Sequence, residues 1–356
     1  MTTGLLDRYG HLLDLPPHTA RVTLLEGGTP LIPTPRLARR MGGGFDLLIK
    51  YEGLNPTGSF KDRGMTAAVS EAVGRGAKRV ICASTGNTAA SAAAYAARAG
   101  LGCVVLIPEG KVAAGKLAGA RAYGAQVVQI KGSFDDALRL VVEITRRHPI
   151  ALVNSINPYR IEGQKTAAFE ICDDLGAAPD LLCLPVGNAG NITAYWGGFK
   201  RYDEVKGSGL PRLLGVQAEG AAPLVLGHPV EKPETVATAI RIGRPARGEE
   251  ALRAAEESGG RIIAVSDAQI LEMQRLLAQE EGIWVEPASA AGLAGLAQEV
   301  AAGRLDVRGK RVVAVCTGHG LKDPDIISRA TPQPKVIAPT MDALEEIVLQ
   351  SEERQP

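Results

Sequence analysis

The chain has 356 residues, 45% hydrophobic and 22% charged, enough to bury one large core or two ordinary ones, and two domains are expected. Its 40 lysines and arginines nearly balance 39 acids, so the net charge of +1 creates no broad field to gather nucleic acid or an anionic membrane. Aromatics at 4% argue against a base-stacking platform, and no apolar run approaches the roughly 20 residues of a membrane span.

The five cysteines, Cys82, Cys103, Cys172, Cys183 and Cys316, form no CxxC pair, and four sit in or beside apolar runs. They read as buried free thiols of a reducing compartment. Asp7, Arg8 and Asp14 break any signal-peptide pattern, so a cytoplasmic location is expected.

In chain order, the first chemical feature is Asn55-Pro56-Thr57-Gly58-Ser59-Phe60-Lys61-Asp62-Arg63-Gly64, a Pro- and Gly-rich turn that sets Lys61 at the start of a helix. The positive end of the helix dipole disfavours a second positive charge, pushing the amine toward the neutral form that attacks carbonyls. An isolated lysine in such a place is ordinarily a solvated surface residue. Three later loops change that reading.

Short apolar runs then alternate with helical patterns: strands at 80–82, 103–107, 127–130 and 151–153, with helices at 89–98, 112–123 and 135–148 between them. The strands lack polar alternation, as in a parallel sheet covered on both faces. The loop after the first strand, Ser84-Thr85-Gly86-Asn87-Thr88, suits a carboxylate at a helix start and reads equally as an N-cap cluster.

A second set follows, with strands at 181–185, 213–217, 261–265 and 312–316 and helices at 192–201, 267–281 and 289–301. Residues 207–211 read as a turn, the stretch 227–248 has no assignable structure, and the tail from Pro332 ends in a short amphipathic helix. After the strand at 181–185, Gly187-Asn188-Ala189-Gly190-Asn191 offers close backbone approach and helix-start N–H donors to a phosphate, although such a loop alone is a weak signal. The strand at 312–316 runs into Thr317-Gly318-His319-Gly320-Leu321-Lys322-Asp323, where Thr317 is placed to bond a ring nitrogen. His319 reads more readily as turn and packing than as a general acid or base. All four segments lie at strand carboxyl ends or the helix starts beside them, and so converge on one cleft.

In this order the segments resemble the pyridoxal 5′-phosphate (PLP) enzymes of the tryptophan synthase β-subunit family, fold type II. Leu25-Glu26-Gly27-Gly28-Thr29-Pro30-Leu31, the Lys50 to Gly64 segment, Asn154-Ser155-Ile156-Asn157-Pro158-Tyr159-Arg160-Ile161-Glu162-Gly163-Gln164-Lys165-Thr166 and the Thr317 segment look like the threonine synthase group within it. Gly119 stands where relatives often carry glutamine. The resemblance implies an α/β fold of two domains, each with a mainly parallel sheet flanked by helices and with PLP in the cleft between them. The large PLP-binding domain would comprise 1–56 and 155–356, and the small substrate-closing domain 57–154.

It further implies that Lys61 holds PLP as a Schiff base, Asn87 bonds the phenolic oxygen, Gly187, Asn188, Ala189, Gly190 and Asn191 cradle the cofactor phosphate, and Thr317 meets the pyridine nitrogen. Ser84, Thr85 and Thr88 would meet the substrate, and Asn154, Ser155 and Arg160 its own phosphate, although Arg160 also reads as a surface ion-pair residue. The implied activity is a carbon–oxygen lyase acting on phosphate, taking O-phospho-L-homoserine and water to L-threonine and phosphate by γ-elimination and β-addition. A homodimer is implied, with no metal, nucleic acid or membrane partner. Without the long N-terminal extension of plant relatives, activation by S-adenosylmethionine is not expected. The nearest alternative is a threonine or serine dehydratase of the same fold; a noncatalytic PLP carrier ranks below it. A nucleotide-binding protein ranks lower still, lacking a Gly-Lys-Ser/Thr element.

Overall fold

Strands without polar alternation need cover on both faces, and this chain supplies it with helices around two separate sheets. The computed structural model describes residues 3–110, 114–326 and 334–350. By internal contacts the chain divides into a unit ending at Asp323 and a tail beginning at Pro324. The described strands are β1 (Leu31–Pro33), β2 (Asp46–Tyr51), β3 (Arg79–Ala83), β4 (Gly102–Pro108), β5 (Gln126–Ile130), β6 (Ile150–Leu152), β7 (Leu181–Pro185), β8 (Arg212–Ala218), β9 (Arg261–Val265) and β10 (Arg311–Cys316). The helices are α1 (Leu5–Tyr9), α2 (Pro35–Arg40), α3 (Lys61–Gly74), α4 (Asn87–Ala99), α5 (Ala114–Ala122), α6 (Phe134–Arg147), α7 (Pro158–Leu175), α8 (Gly190–Lys206), α9 (Pro223–Leu226), α10 (Gly248–Glu257), α11 (Asp267–Glu281), α12 (Pro287–Ala301) and, in the tail, α13 (Met341–Gln350).

One sheet has the order β1-β2-β10-β7-β8-β9 and the other β5-β4-β3-β6. Every pairing is parallel except that of β1 with β2. The eight strands expected from apolar runs are all present, so the α/β class with two mainly parallel sheets holds. The expected helix over 112–123 is observed from Ala114; residues 112 and 113 lie outside the described residues, as do 332 and 333 of the tail. Residues 207–211, expected as a turn, form an irregular connection between α8 and β8 with no turn assigned.

Strand β10 shows why the large sheet needs two covers. Val312, Ala314 and Cys316 face a core that includes Leu276, Leu277, Leu293 and Leu296 of α11 and α12. Val313 and Val315 face another, with Phe169 of α7 and Tyr195 and Phe199 of α8. In the small sheet, Val80 and Cys82 pack toward α3 and α4, whereas Ile81 and Ala83 pack toward α6. Burying each such Val or Leu contributes roughly 1.5–3 kcal/mol relative to leaving it exposed. All five cysteines are buried and unpaired, as the sequence suggests. No helix among the described residues is long and apolar enough to cross a membrane.

Helix α7, 18 residues long, was not legible as a helix in the sequence, because its buried surface carries Arg160, Gln164, Thr166 and Glu170 among apolar residues. These polar groups are matched by partners elsewhere in the chain. The Arg63 guanidinium on α3 donates to Glu52 at 2.6 and 2.8 Å, to Glu170 Oε2 at 2.6 Å and to the hydroxyls of Thr29 and Thr166. Lys50 of β2, fully buried, reaches Glu170 at 3.0 Å and donates to the Thr29 carbonyl at 2.7 Å. Burial alone would raise the Glu170 carboxyl, but Arg63 and Lys50 outweigh it and hold the group well below the usual carboxylate range. The helices cross closely at glycines: a Cβ on Gly163 would fall 2.0 Å from the Arg63 carbonyl, and one on Gly198 of α8 would fall 2.6 Å from that of Lys165.

Replacing Arg63 with Met leaves the buried Glu52 without a cation and Glu170 with Lys50 as its buried one, and stability is expected to fall by about 3–5 kcal/mol. Urea unfolding monitored by circular dichroism measures this; a loss under 1 kcal/mol, within the range of an exposed ion pair, would contradict the network's role.

Candidate active site

The carboxyl ends of β3, β7 and β10, and the chain just beyond β6, open on one cleft of about 560 Å³. Lys61, Ser84, Thr85, Asn87, Thr88, Asn154, Ser155, Arg160, Gly187, Asn188, Ala189, Gly190, Asn191 and Thr317 all line it. Every site residue expected from the sequence is therefore brought to one place.

Lys61 opens α3, and the turn before it is held from two directions. Its backbone joins the end of β10: Phe60 N–H donates to the Thr317 carbonyl at 3.0 Å, and His319 N–H donates to the Gly58 carbonyl at 3.0 Å. The buried Asp62 carboxylate accepts from the Thr57 N–H at 2.7 Å and from the hydroxyls of Thr57 and Ser91 at 2.6 Å, tying the turn to α4. Gly58 adopts φ +83°, a conformation that disfavours a side chain, so a glycine is needed for the turn to close.

Lys61 keeps some exposure toward the cleft but is deeply enclosed by protein. Burial first and the Arg160 charge second lower its amine to about 7, against the opposing effect of Glu286. Burial and Arg160 thus join the helix start as causes that favour the neutral amine.

The loop between β7 and α8 places Ala189 at φ +66°, and the N–H groups of Gly187, Asn188 and Ala189 donate to no described residue. A Cβ on Gly187 would lie 2.9 Å from Ile240 Cα, so this glycine is required by close packing against the 238–242 segment. Asn191 Nδ2 is buried without a partner. Thr317 Oγ1 lies 2.9 Å from Ser289 Oγ, which also accepts from the Gly318 N–H at 2.8 Å.

Arg160 is 1% exposed, which rules out a surface ion pair. It donates from Nη1 to the Val153 carbonyl at 2.9 Å, while its Nε is buried without a partner. Gly64 leaves the room: a Cβ there would fall 2.6 Å from Arg160 Nε. Burial lowers the guanidinium to about 10, so it remains charged at neutral pH. The Asn154 amide bonds the Ala83 backbone on both sides, accepting at 3.0 Å and donating at 2.8 Å, and so extends the end of β3. Ser155 lines the cleft beside it, and its carbonyl accepts from Arg247 at 3.5 Å.

Sequence reasoning missed Glu286, Gln164, Lys322 and the 238–242 segment, all of which line the cleft. Glu286 had a readable signal, an acid between the apolar Ile283-Trp284-Val285 and a Pro at a helix start. The 238–242 segment had none, since it lies in a Pro- and Gly-rich stretch without periodicity. His319 does not line the cleft: its Nδ1 accepts from the Leu321 N–H at 3.1 Å and its ring stacks on Tyr51, which makes it turn and packing.

An amine kept neutral beside a glycine loop with free N–H donors defines an enzyme that holds an anionic carbonyl cofactor. Residues 22–318 match the family described as pyridoxal-phosphate dependent enzyme, and the chain belongs to that family. It is 58% identical to a threonine synthase of Halalkalibacterium halodurans over 322 residues, covering 90% of each chain. It is 59% identical to a threonine synthase of Synechocystis over 326 residues, covering 90% of this chain and 84% of the other. Among solved structures, maize serine racemase superposes with a TM-score of 0.75 at 20% identity, covering 93% of this chain and 97% of that one, a likeness of fold. The residues present fit PLP: Lys61 for the aldehyde, the 187–191 loop with the unpartnered Asn191 Nδ2 for the phosphate, and the Thr317 hydroxyl for the ring nitrogen.

In protein stripped of cofactor, the Lys61 amine is expected to be protonated and unreactive below about pH 7 and acylated readily above it, whereas an ordinary lysine titrates near 10.5. Peptide mass spectrometry after anhydride labelling across pH reads the midpoint. Arg160→Met removes a positive neighbour and moves that midpoint upward; a midpoint above 9 in the native chain would contradict the site.

Proposed function

We propose that the chain performs threonine synthase chemistry, converting O-phospho-L-homoserine and water to L-threonine and phosphate with PLP as its cofactor. The observation that carries this is a cleft lined by two separate groups suited to anions: the 187–191 loop, and the buried, charged Arg160 together with Ser155. A cofactor phosphate and a substrate phosphate each require their own donors. A threonine or serine dehydratase has no substrate phosphate to hold, and the most similar relatives described above bear the threonine synthase name.

When bound, PLP withdraws electrons from the substrate and acidifies carbon-bound protons. Lys61 Nζ, lowered to about 7 and so able to gain or lose a proton near neutrality, takes and returns those protons. Asn87 donates to the cofactor's phenolic oxygen, and Gly187 to Asn191 hold its phosphate. Thr317 offers the ring nitrogen a neutral hydroxyl, which does not enforce its protonation as a carboxylate would. Ser84, Thr85 and Thr88, around the start of α4, receive the substrate carboxylate. Arg160 and Ser155 grip the substrate phosphate, and Asn154, through Ala83, fixes the loop that carries Ser84. In this reading the part of the chain spanning 57–154 acts as the small domain and closes on the large one, built from the rest of the unit that ends at Asp323, to exclude water until it is needed. The working form in this reading is a homodimer in the cytoplasm, a compartment with which the unpaired buried cysteines are in keeping.

A product assay with O-phospho-L-homoserine, with and without added PLP, should yield threonine and phosphate; 2-oxobutanoate from threonine alone as the main activity would favour the dehydratase. Lys61→Ala should abolish turnover together with the borohydride-reducible visible chromophore, and retention of that chromophore would remove Lys61 from its role. Thr317→Asp should slow turnover and raise side transamination, measured as 2-oxo acid release; an unchanged product partition counts against the neutral-hydroxyl argument.

A further inference from the structure

Glu286 is 5% exposed, lines the cleft and forms no ion pair within 4 Å among the described residues, although burying a carboxylate without a paired cation is costly. Its hydrogen-bonding partner is Asn87, whose Nδ2 donates to Glu286 Oε1 at 3.1 Å and Oε2 at 3.0 Å. The two residues are 199 positions apart, one opening α4 and the other directly before α12. The carboxylate is set by backbone on the other side. Glu286 N–H donates to the Gly318 carbonyl at 3.1 Å, and a Cβ on Gly318 would fall 2.5 Å from Glu286 Oε1, so glycine is needed there to admit the acid.

A side-chain amide can present either end to a ligand, its nitrogen donating or its oxygen accepting. Both carboxyl oxygens of Glu286 lie within hydrogen-bond distance of the amide nitrogen, which holds the nitrogen end in place and leaves the second N–H of the same amide for a ligand in the cleft. We infer that Glu286 is a positioning residue for the cofactor: it fixes the Asn87 amide as a donor, and so governs the hydrogen bond that Asn87 gives to the phenolic oxygen. This rests on the reading of Asn87 given above. Burial pushes the Glu286 carboxyl above the usual carboxylate range; the Asn87 hydrogen bond and the charges of Lys322 and Lys61 oppose that rise, and Asp323 adds to it. The wider consequence is that Glu286, which reaches the cofactor only through Asn87, acts on the colour and affinity of the bound cofactor.

The test is made on the full chain loaded with PLP, reading the visible absorbance maximum, the PLP dissociation constant and the melting temperature. Asn87→Ala and Glu286→Gln should each shift the absorbance and weaken PLP binding about tenfold, the loss expected for one hydrogen bond to a charged acceptor. The double variant should be no worse than the weaker single one, because both remove the same bond. Additive effects, or an unshifted spectrum in Glu286→Gln beside a shifted one in Asn87→Ala, would overturn the inference. The exchange variant Asn87→Asp with Glu286→Gln restores an amide–carboxylate pair with the donor on the wrong side. It should recover the melting temperature but not the native spectrum or affinity, whereas recovery of all three would reduce Glu286 to a structural partner. Absence of the visible band from the unsubstituted protein would defeat the cofactor reading itself, and the inference with it.

Discussion

A short ribbon of backbone outside both sheets determines where everything in the cleft stands. The 58–60, 317–319 and 284–286 segments bond edge to edge, with Phe60 and His319 N–H groups pairing the first two and Glu286 and Gly320 N–H groups pairing the last two. One hydrogen-bonded edge thus carries Lys61, Thr317 and Glu286 along the same cleft. The glycines at 58, 318 and 320 follow from it: the first adopts a positive φ, and added side chains at the other two would collide with Glu286 and Trp284. Precision of this kind comes from building a site on rigid elements instead of free loops.

Helix α3 shows how neighbouring residues acquire opposite electrostatic fates. Arg63 meets two carboxylates and keeps its charge in the interior, whereas Lys61, two residues earlier, loses much of its hold on a proton to burial and, second, to the Arg160 charge. Between them, Asp62 is fixed by three hydrogen bonds and anchors the turn. The compensated charges hold the helices together, and the poorly compensated ones face the cleft. A pKa displaced in this way is a mark of chemistry when it lies in a cavity with convergent donors, as it does here.

The expected strands were legible because a covered parallel strand is a plain apolar run bounded by turn residues, as Leu181–Pro185 and Arg261–Val265 are. Strand β2 was not, because Lys50 interrupts the run, and the partner that makes a buried lysine tolerable, Glu170, is 120 residues away in the chain. The same reason hid α7: its buried Arg160, Gln164, Thr166 and Glu170 read as polar until the groups that satisfy them are in place. Local pattern reports what a residue is, and burial of a polar residue depends on what it meets.

The amino-acid sequence by itself determined the α/β class, the alternation of strands and helices, and which loops carry the chemistry, because periodicity and the need for glycine at close approaches are local properties. It also determined the membership of the cleft residues, since loops at strand carboxyl ends must share one edge of a parallel sheet. Only the tertiary structure decided that Lys61 is neutral through burial and Arg160, that Asn154 binds backbone, that His319 stands outside the cleft and that Glu286 holds Asn87. These are facts about pairs separated by up to 199 residues, and the distance and dielectric between two side chains exist only once the chain has closed on itself.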